Sequence, residues 1–199
     1  MKDNTIFYKL GDNLYVNITN RCSCDCVFCI RKNGDSVGNA ATLWLEREPT
    51  VEEIKRDFDT QELTGITEIV FCGYGEPMER ADDVVELCGY FKTKTTIPLR
   101  LNTNGLVKLI NEEFDVSRLS VFDFISVSLN ADNPVDYQKL SRTVFGEVSF
   151  KSMLEFAKDV KKFANVAFTV VDFNGLDTEK CRIISDSVGI PLRIRHFEG

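Results

Sequence analysis

The segment LYVNITNRCSCDCVFCI, residues 14–30, joins a predicted strand to a cluster of four cysteines. Its first six residues include Tyr, Val, Ile and Thr, which are residue types that strands prefer. The cysteines Cys22, Cys24, Cys26 and Cys29 then fall within eight positions. In parallel α/β folds, functional sites collect at the C-terminal ends of the strands. The ends of the other predicted strands are therefore the places to search for partners of this cluster.

Strands and helices alternate along the rest of the chain. Five further β-rich runs predict strands: TEIVFC (67–72), IPLRLNT (97–103), DFISVSL (123–129), NVAFTVV (165–171) and PLRIRHF (191–197). Helices are predicted between them, over residues 51–63, 81–92, 106–119, 149–164 and 177–189. Such alternation is typical of βαβ units and a parallel sheet. We find no linker or internal repeat, and we expect one domain over residues 1–199.

Local signals refine this outline. TIFYKL, residues 5–10, is expected to pair with the first strand through the turn GDN. Thr50 followed by Glu53 is a capping-box pattern that predicts the start of the first helix, and Gly65 and Gly189 predict helix ends. Residues 31–49 are a long segment without a clear pattern, and we expect a functional loop there, such as a lid.

The composition argues against several classes of protein. The 199 residues are 43% hydrophobic and 28% charged, which is typical of a globular protein. The formal net charge of −7 argues against a large nucleic-acid interface, which needs a basic face. No apolar stretch is long enough to cross a membrane and the N-terminus does not resemble a signal peptide, so we expect a cytoplasmic protein. In that reducing compartment, clustered cysteines are more often metal ligands or catalytic groups than disulfides.

The spacing Cys22-x3-Cys26-x2-Cys29 offers three thiolates from one tight loop. A structural zinc ion requires four protein ligands, with Cys24 or Cys72 as the available fourth. An iron–sulfur cluster takes one thiolate per iron, so three cysteines would leave one of four irons open to another ligand. The other predicted strand ends carry GYGEP (73–77), LNTNG (101–105), SLN (128–130), Asp172 and His196. We expect these groups to lie together at the C-terminal edge of the sheet.

The cysteine triplet at the end of the first strand resembles the signature of the radical SAM superfamily. GYGEP resembles the glycine-rich stretch of that family, and an aromatic residue before the last cysteine, here Phe28, fits its pattern. The chain as a whole, from NLYVNITNRC through LWLE, FCGYGEP, RLNTNG, SVSLNA and PLRIRHF, looks most like the small TatD-associated radical SAM proteins.

This resemblance implies a partial (β/α)6 TIM-type barrel with a parallel sheet, which binds one [4Fe-4S] cluster and S-adenosylmethionine (SAM). It implies Cys22, Cys26 and Cys29 as cluster ligands, with Cys24 as a passenger. Residues expected to contact SAM are Phe28, Gly73, Tyr74, Gly75, Glu76, Pro77, Asn102, Ser128 and Asn130. Arg142 and His196 are further candidates for SAM contacts.

Structural alternatives exist for these residues. The glycines of GYGEP also suit a tight turn, and polar residues at strand ends often satisfy local backbone groups. Cys72, Cys88 and Cys181 are interpreted as small buried hydrophobic residues. Trp44 would either anchor the predicted lid or be buried against the barrel, and burial in the core is the preferred interpretation. Arg193 and Arg195 share one face of the last strand, where they would either hold an anionic substrate or face solvent.

The implied reaction is reductive cleavage of SAM to a 5′-deoxyadenosyl radical, which abstracts hydrogen from an unknown substrate. That substrate is a small molecule or a protein segment, since six strands would leave one side of the barrel open. A one-electron donor such as flavodoxin or ferredoxin is expected, as is a possible association with a TatD-family hydrolase. The alternatives are an activase that acts on a protein partner, and a non-catalytic iron–sulfur or zinc module.

Overall fold

The computed structural model describes residues 5–32, 34, 37, 40, 42–173 and 176–196, and a seven-stranded sheet dominates it. The strands are β1 (Phe7–Leu10), β2 (Asn13–Val16), β3 (Glu68–Phe71), β4 (Leu99–Thr103), β5 (Phe124–Ser128), β6 (Asn165–Asp172) and β7 (Leu192–His196). Their order in the sheet follows their order in the chain. β1 is antiparallel to β2, as expected for the predicted hairpin, and every other neighbouring pair is parallel.

Helices follow most of the parallel strands. They are α1 (Val51–Phe58), α2 (Ala81–Lys94), α3 (Val107–Ile110), α4 (Pro134–Ser141), α5 (Val148–Val160) and α6 (Thr178–Val188). Short 3₁₀ turns occur at Ile30–Lys32, Pro77–Arg80 and Val116–Val121. Six parallel strands in chain order, with helices along one face, form the partial (β/α) barrel that was expected. Within the described part of the chain β1 and β7 are the two edges, so the barrel is open.

The main core lies between the sheet and the helices. Alternate strand residues such as Leu14, Phe71 and Ile125 are fully buried there. The ring of Phe91 on α2 stacks on that of Phe58 on α1, with centroids 3.9 Å apart, and on that of Phe71, with centroids 5.7 Å apart. This helix-covered face of the sheet therefore accounts for most of the buried apolar area, whose burial stabilises the fold by about 25 cal/mol per Å².

The opposite face of the sheet, called here the inner face, is unusually polar. A parallel sheet normally buries apolar residues on both faces. Here the inner-facing positions include Arg100 and Asn102 of β4, Ser126 of β5 and Thr169 of β6, which line a common cavity with Arg193 and Arg195 of β7. The second apolar cluster, Tyr8, Ala40, Leu43 and Tyr74, is small. The inner face is thus built to meet polar groups.

Several helix boundaries differ from the predictions. The capping box is present, since Thr50 Oγ1 accepts from Glu53 N at 3.2 Å and the Glu53 carboxylate accepts from Thr50 N at 2.9 Å. However, α1 ends at Phe58, and Gly65 lies in a later turn with φ +78°. The predicted end at Gly189 is confirmed by its left-handed conformation (φ +62°).

The helix α4 was not predicted from the sequence. Its start carries a clear signal, because Asn133 Oδ1 accepts from Asp136 N at 2.9 Å and Pro134 occupies the first turn. The helix predicted over 106–119 is in fact two pieces, α3 and the 3₁₀ turn Val116–Val121. In the described part of the chain, no helix combines the length and apolar character needed to cross a membrane.

Candidate functional site

The cysteine loop, residues 20–32, lies at the C-terminal end of β2 and is tied to the end of α4. Asp25 N donates to Ser141 O at 3.0 Å and Val27 N donates to Leu140 O at 2.9 Å. Val144 N donates to the carbonyl oxygen of Ser23 at 3.0 Å. The unpredicted helix α4 is therefore a support for the cysteine loop.

Two cations of the loop bind its own backbone. Arg31 Nε lies 3.3 Å from the sulfur of Cys29, and Arg31 Nη2 donates to Cys24 O at 3.2 Å. Lys32 Nζ donates to Cys26 O at 2.9 Å and pairs with Asp25 at 2.9 Å. Sequence reasoning did not select Arg31 or Lys32. Their position directly after the last cysteine was the available signal, because cations favour nearby thiolates.

The four thiols of the loop have different surroundings. Cys22, Cys26 and Cys29 are partly exposed, whereas Cys24 is buried in the main core. Asn104 Nδ2 donates to the sulfur of Cys24 at 3.7 Å. Hydrogen bonds with the thiols of Cys22 and Cys26, together with burial, raise the pKa of Cys24. The pKa of Cys26 is lowered, first by its hydrogen bond with Cys24 and also by the charges of Arg31 and Lys32.

The donor set of the loop indicates which kind of metal group it suits. Among residues 5–32, 34, 37, 40, 42–173 and 176–196, no three or more Cys, His, Asp or Glu side chains are arranged to hold a single metal ion. A cluster makes a different demand, because each thiolate binds its own iron and the ligands stand around the cluster. Three partly exposed thiols on one loop, beside the guanidinium of Arg31, are a donor set that fits this demand.

The GYGEP segment packs directly against the start of the cysteine loop. A Cβ atom on Gly75 would lie 2.3 Å from Thr19 O and 2.6 Å from Arg21 O, and one on Gly73 would lie 2.1 Å from Asn17 Oδ1. Neither glycine has a positive φ. Close approach of neighbouring segments, rather than the freedom of a tight turn, is therefore why glycine occupies both positions.

Glu76 is buried and its carboxylate accepts hydrogen bonds from three protein donors. Oε1 accepts from Thr103 Oγ1 at 2.7 Å and from Met78 N at 3.1 Å, and Oε2 accepts from Asn104 N at 2.7 Å. Its backbone N donates to Arg21 O at 2.8 Å. Burial raises the pKa of Glu76 to about 7, although its three donors oppose the shift. Glu76 thus joins the ends of β3 and β4 to the cysteine loop.

The remaining GYGEP residues have structural contacts as well. Tyr74 is buried in the small inner cluster with Leu43, and its hydroxyl donates to Gly34 O at 2.8 Å. Pro77 is buried at the start of a 3₁₀ turn. The interpretation of Trp44 as a core residue is wrong, because Trp44 is 38% exposed and packs edge-on against Tyr74 at 5.1 Å. The guanidinium of Arg31, on the cysteine loop, lies over the indole ring of Trp44, 5.9 Å from its centroid.

Three of the expected SAM contacts, Phe28, Asn130 and Ser128, lie on or beside the ends of β5 and β6. The ring of Phe28 packs edge-on against that of Phe173, which follows β6, with centroids 5.9 Å apart. The cysteine loop therefore extends across the strand ends. Asn130 follows β5 in the left-handed conformation (φ +58°) and is buried. Ser128 is the last residue of β5, in register with Thr169 of β6.

Asn102 faces the inner cavity, where its side chain acts as a donor toward the sulfur of Cys72, while its Oδ1 has no partner among the described residues. Cys72 is partly buried and beside polar groups, so its interpretation as a plain core residue is incomplete, whereas Cys88 and Cys181 are buried as predicted. Burial raises the pKa of the Cys72 thiol, and the bond with Asn102 opposes the shift.

Arg142 and His196 are the most exposed of the candidates. Arg142 ends α4 in a left-handed conformation, and its guanidinium lies 3.8 Å from Asp25 on the cysteine loop. His196 ends β7 at an edge of the sheet, in register with Asp172. The structure brings Phe28, the GYGEP segment and the cysteines to one end of the barrel, with Arg142 on the outer side of that loop.

Comparison with known proteins agrees with this arrangement. The sequence model of the Radical SAM superfamily matches residues 16–182. A probable GTP 3′,8-cyclase of Methanocaldococcus jannaschii is 29% identical over 164 residues, which are 82% of this chain and 49% of that protein. The chain thus spans about half the length of this curated relative.

Solved structures show the same fold at low sequence identity. Streptococcus suis SuiB bound to precursor peptide SuiA superposes with a TM-score of 0.70 and 14% identity, over 96% of this chain and 40% of SuiB. Native anSMEcpe with bound AdoMet gives a TM-score of 0.60 and 17% identity, over 92% of this chain and 50% of anSMEcpe. The chain therefore belongs to the radical SAM superfamily, whose enzymes use a [4Fe-4S] cluster and S-adenosylmethionine.

Proposed function

We propose that this chain is a radical SAM enzyme in which Cys22, Cys26 and Cys29 hold one [4Fe-4S] cluster with an open iron for SAM. The observation that carries the proposal is the cysteine loop itself. It presents three partly exposed thiols at the carboxyl edge of a parallel sheet, braced by α4 and packed against GYGEP. When bound, the reduced cluster supplies an electron that cleaves SAM to a 5′-deoxyadenosyl radical, which abstracts hydrogen from the substrate.

The chain's own residues would position SAM and exclude water. Gly75 lets the backbone of GYGEP lie against the cysteine loop, and Gly73 lets it lie against Asn17 just before that loop. This backbone is proposed to meet the amino group of SAM. Phe28 is proposed to lie beside the adenine, and its contact with Phe173 covers the strand ends on that side. Asn130 and Ser128 are proposed to meet the ribose or the carboxylate of SAM.

The resemblance of the sequence implies that Glu76 contacts SAM, whereas we propose a positioning role for it. Its carboxylate already accepts three hydrogen bonds from the protein, so it supports the proposal mainly by fixing the segment that meets SAM. Arg142 and His196 remain candidates for the carboxylate of SAM or for the substrate. Asn102 remains a candidate for SAM, although it faces the inner cavity.

We further propose that residues 1–199 form a single radical SAM core domain, of the TatD-associated type. Enzymes of this superfamily need a reductant, and flavodoxin or ferredoxin is proposed here. The substrate is a small molecule or a protein segment: the curated relative is named for GTP, whereas SuiB was solved with a peptide. A TatD-family hydrolase as a partner, and an activase role on another protein, are suggested by the resemblance of the sequence.

The test is iron content and 5′-deoxyadenosine release after anaerobic reconstitution with SAM and dithionite. The wild type should hold about four irons per chain. Cys22→Ala, Cys26→Ala and Cys29→Ala should each abolish 5′-deoxyadenosine release, because each removes a ligand. Cys24→Ala is the matched control, since it removes a thiol of the same loop that lies in the core.

The control should keep its iron and most of the cleavage rate. If Cys24→Ala loses iron as the other three variants do, the assignment of ligands is wrong. Stoichiometric zinc with no uptake of iron by the wild type would refute the cluster and favour the non-catalytic zinc module.

A further inference from the structure

The inner cavity is a second, separate feature of the barrel. It has a volume of about 270 Å³, and no residue of the cysteine loop lines it. Its walls come from four neighbouring strands, β4 to β7. A cavity of this size accommodates a small molecule or one end of a larger one.

Two arginines of β7 border this cavity at the edge of the sheet, and both are exposed. Arg193 and Arg195 are two positions apart on one strand, so their side chains leave the same face of the sheet about 7 Å apart. Arg193 is in register with Thr169, which also lines the cavity. The guanidinium of Arg193 lies over the ring of Phe124, 5.7 Å from its centroid, and this contact orients it.

Within the described part of the chain, these two guanidinium groups have no acidic partner. Among the residues that the structure describes, no carboxylate lies within 4 Å of Arg193 or Arg195. By contrast, Arg100 at the same cavity lies 2.9 Å from Glu68. The chain has seven more acidic than basic residues (31 against 24), so carboxylates are abundant elsewhere. Counted over the described residues alone, the pair on β7 is therefore a local excess of positive charge.

Neutral polar groups complete the cavity. Ser126 and Thr169 offer hydroxyl groups, and Asn102 contributes its amide. Asn102 Oδ1 is buried and has no hydrogen-bond partner among the described residues. A buried polar atom without a partner costs stability unless a ligand or water meets it. Its position beside two cations that lack a carboxylate partner among residues 5–32, 34, 37, 40, 42–173 and 176–196 points to a polar ligand.

We propose that this cavity holds the phosphate or carboxylate group of a small anionic substrate, bound by Arg193 and Arg195. The proposal rests on the proposed function, because it assigns a substrate class to the same enzyme. Guanidinium groups bind both anions through paired, charge-assisted hydrogen bonds. Ser126 and Thr169 then meet the uncharged part of the substrate, below the strand ends where SAM is proposed to bind.

The test uses anaerobically reconstituted holoenzyme and two probes, inorganic phosphate and malonate, measured by isothermal titration calorimetry. The two probes distinguish a phosphate site from a carboxylate site. Arg193→Gln and Arg195→Gln should each weaken binding of the preferred probe by about 10- to 100-fold. Arg195→Lys keeps the charge and should weaken it less. Arg182→Gln, on α6 and beside Glu179, is the matched control and should leave binding unchanged.

SAM affinity, iron content and SAM cleavage are measured on the same preparations. The arginine variants should keep the SAM affinity and the iron content of the wild type, and each should show the thermal unfolding temperature of the wild type within a few degrees. If the wild type binds neither phosphate nor malonate, the proposal is overturned. It is also overturned if Arg182→Gln weakens probe binding as much as Arg193→Gln and Arg195→Gln do. A loss of SAM affinity in Arg195→Gln would also overturn it, because the arginine would then belong to the SAM site. Failure of SAM cleavage in the wild type would instead contradict the proposed function.

Discussion

Replacing Glu76 by glutamine should change how the stability of the protein depends on pH. Glu76 is buried where β3 and β4 meet the cysteine loop, and burial raises its pKa from 4.5 to about 7. Its donors, Thr103 Oγ1, Met78 N and Asn104 N, favour the charged form but do not outweigh the loss of hydration. The nearby charge of Glu79 adds to the shift.

The sign of the effect follows from proton linkage. Between pH 4.5 and 7 the folded protein holds a proton at Glu76 that the unfolded chain has released. The contribution of Glu76 to the free energy of unfolding is therefore fully present below about pH 4.5 and is lost as the pH rises through about 7. A shift of this size corresponds to about 3 kcal/mol, at about 1.4 kcal/mol per pKa unit. The amide of the Glu76→Gln variant does not titrate, so the variant lacks this loss.

The assay is urea unfolding of cluster-free wild type and Glu76→Gln at pH 4.5, 6 and 7.5. Cluster-free protein is used because thiolate ligands would add their own pH dependence. The free energy of unfolding of the wild type, minus that of the variant, should fall by about 3 kcal/mol from the lowest to the highest pH. Glu155→Gln removes the same charge from an exposed position on α5 and gives the baseline. A difference that stays constant within about 0.5 kcal/mol would refute the reasoning, since the hydrogen bonds would then outweigh burial.

Two further substitutions test the packing of the site. Gly75→Ala would place a Cβ 2.3 Å from Thr19 O, so it should lower the free energy of unfolding by about 1–3 kcal/mol and reduce 5′-deoxyadenosine release. Gly89→Ala, in an open position of α2, is its control and should be neutral or stabilising by up to about 1 kcal/mol; equal behaviour in urea unfolding would contradict the close-packing argument. Arg31→Gln removes the donor to Cys29, so the reconstituted enzyme should lose iron to a chelator several-fold faster than wild type. Arg142→Gln is its control, because the ion pair between Arg142 and Asp25 of the cysteine loop is exposed and 3.8 Å long; this variant should lose iron at the wild-type rate. If both variants lose iron at the same rate, Arg31 does not stabilise the cluster.

The strand pattern and the motif positions could be predicted from the sequence because each depends on local chemistry. β-branched runs, the turn GDN and the capping box at Thr50 act over a few residues, and all appear in the structure. The helix α4 was missed because its middle, VDYQKLS, has a weak apolar pattern. Its cap at Asn133 was a better signal than its periodicity.

The amino-acid sequence alone was enough to predict six parallel strands, a cysteine triplet after the first of them, and a resemblance to radical SAM proteins. The neighbours of each side chain became known only from the folded chain. Glu76 accepts three protein donors and Gly75 lies against the backbone of Thr19, and both facts depend on segments that are distant in the chain. The same holds for Arg193 and Arg195, whose lack of acidic partners among the described residues is a property of the whole inner face. Contacts of this kind arise from long-range packing, which local propensity and spacing do not encode.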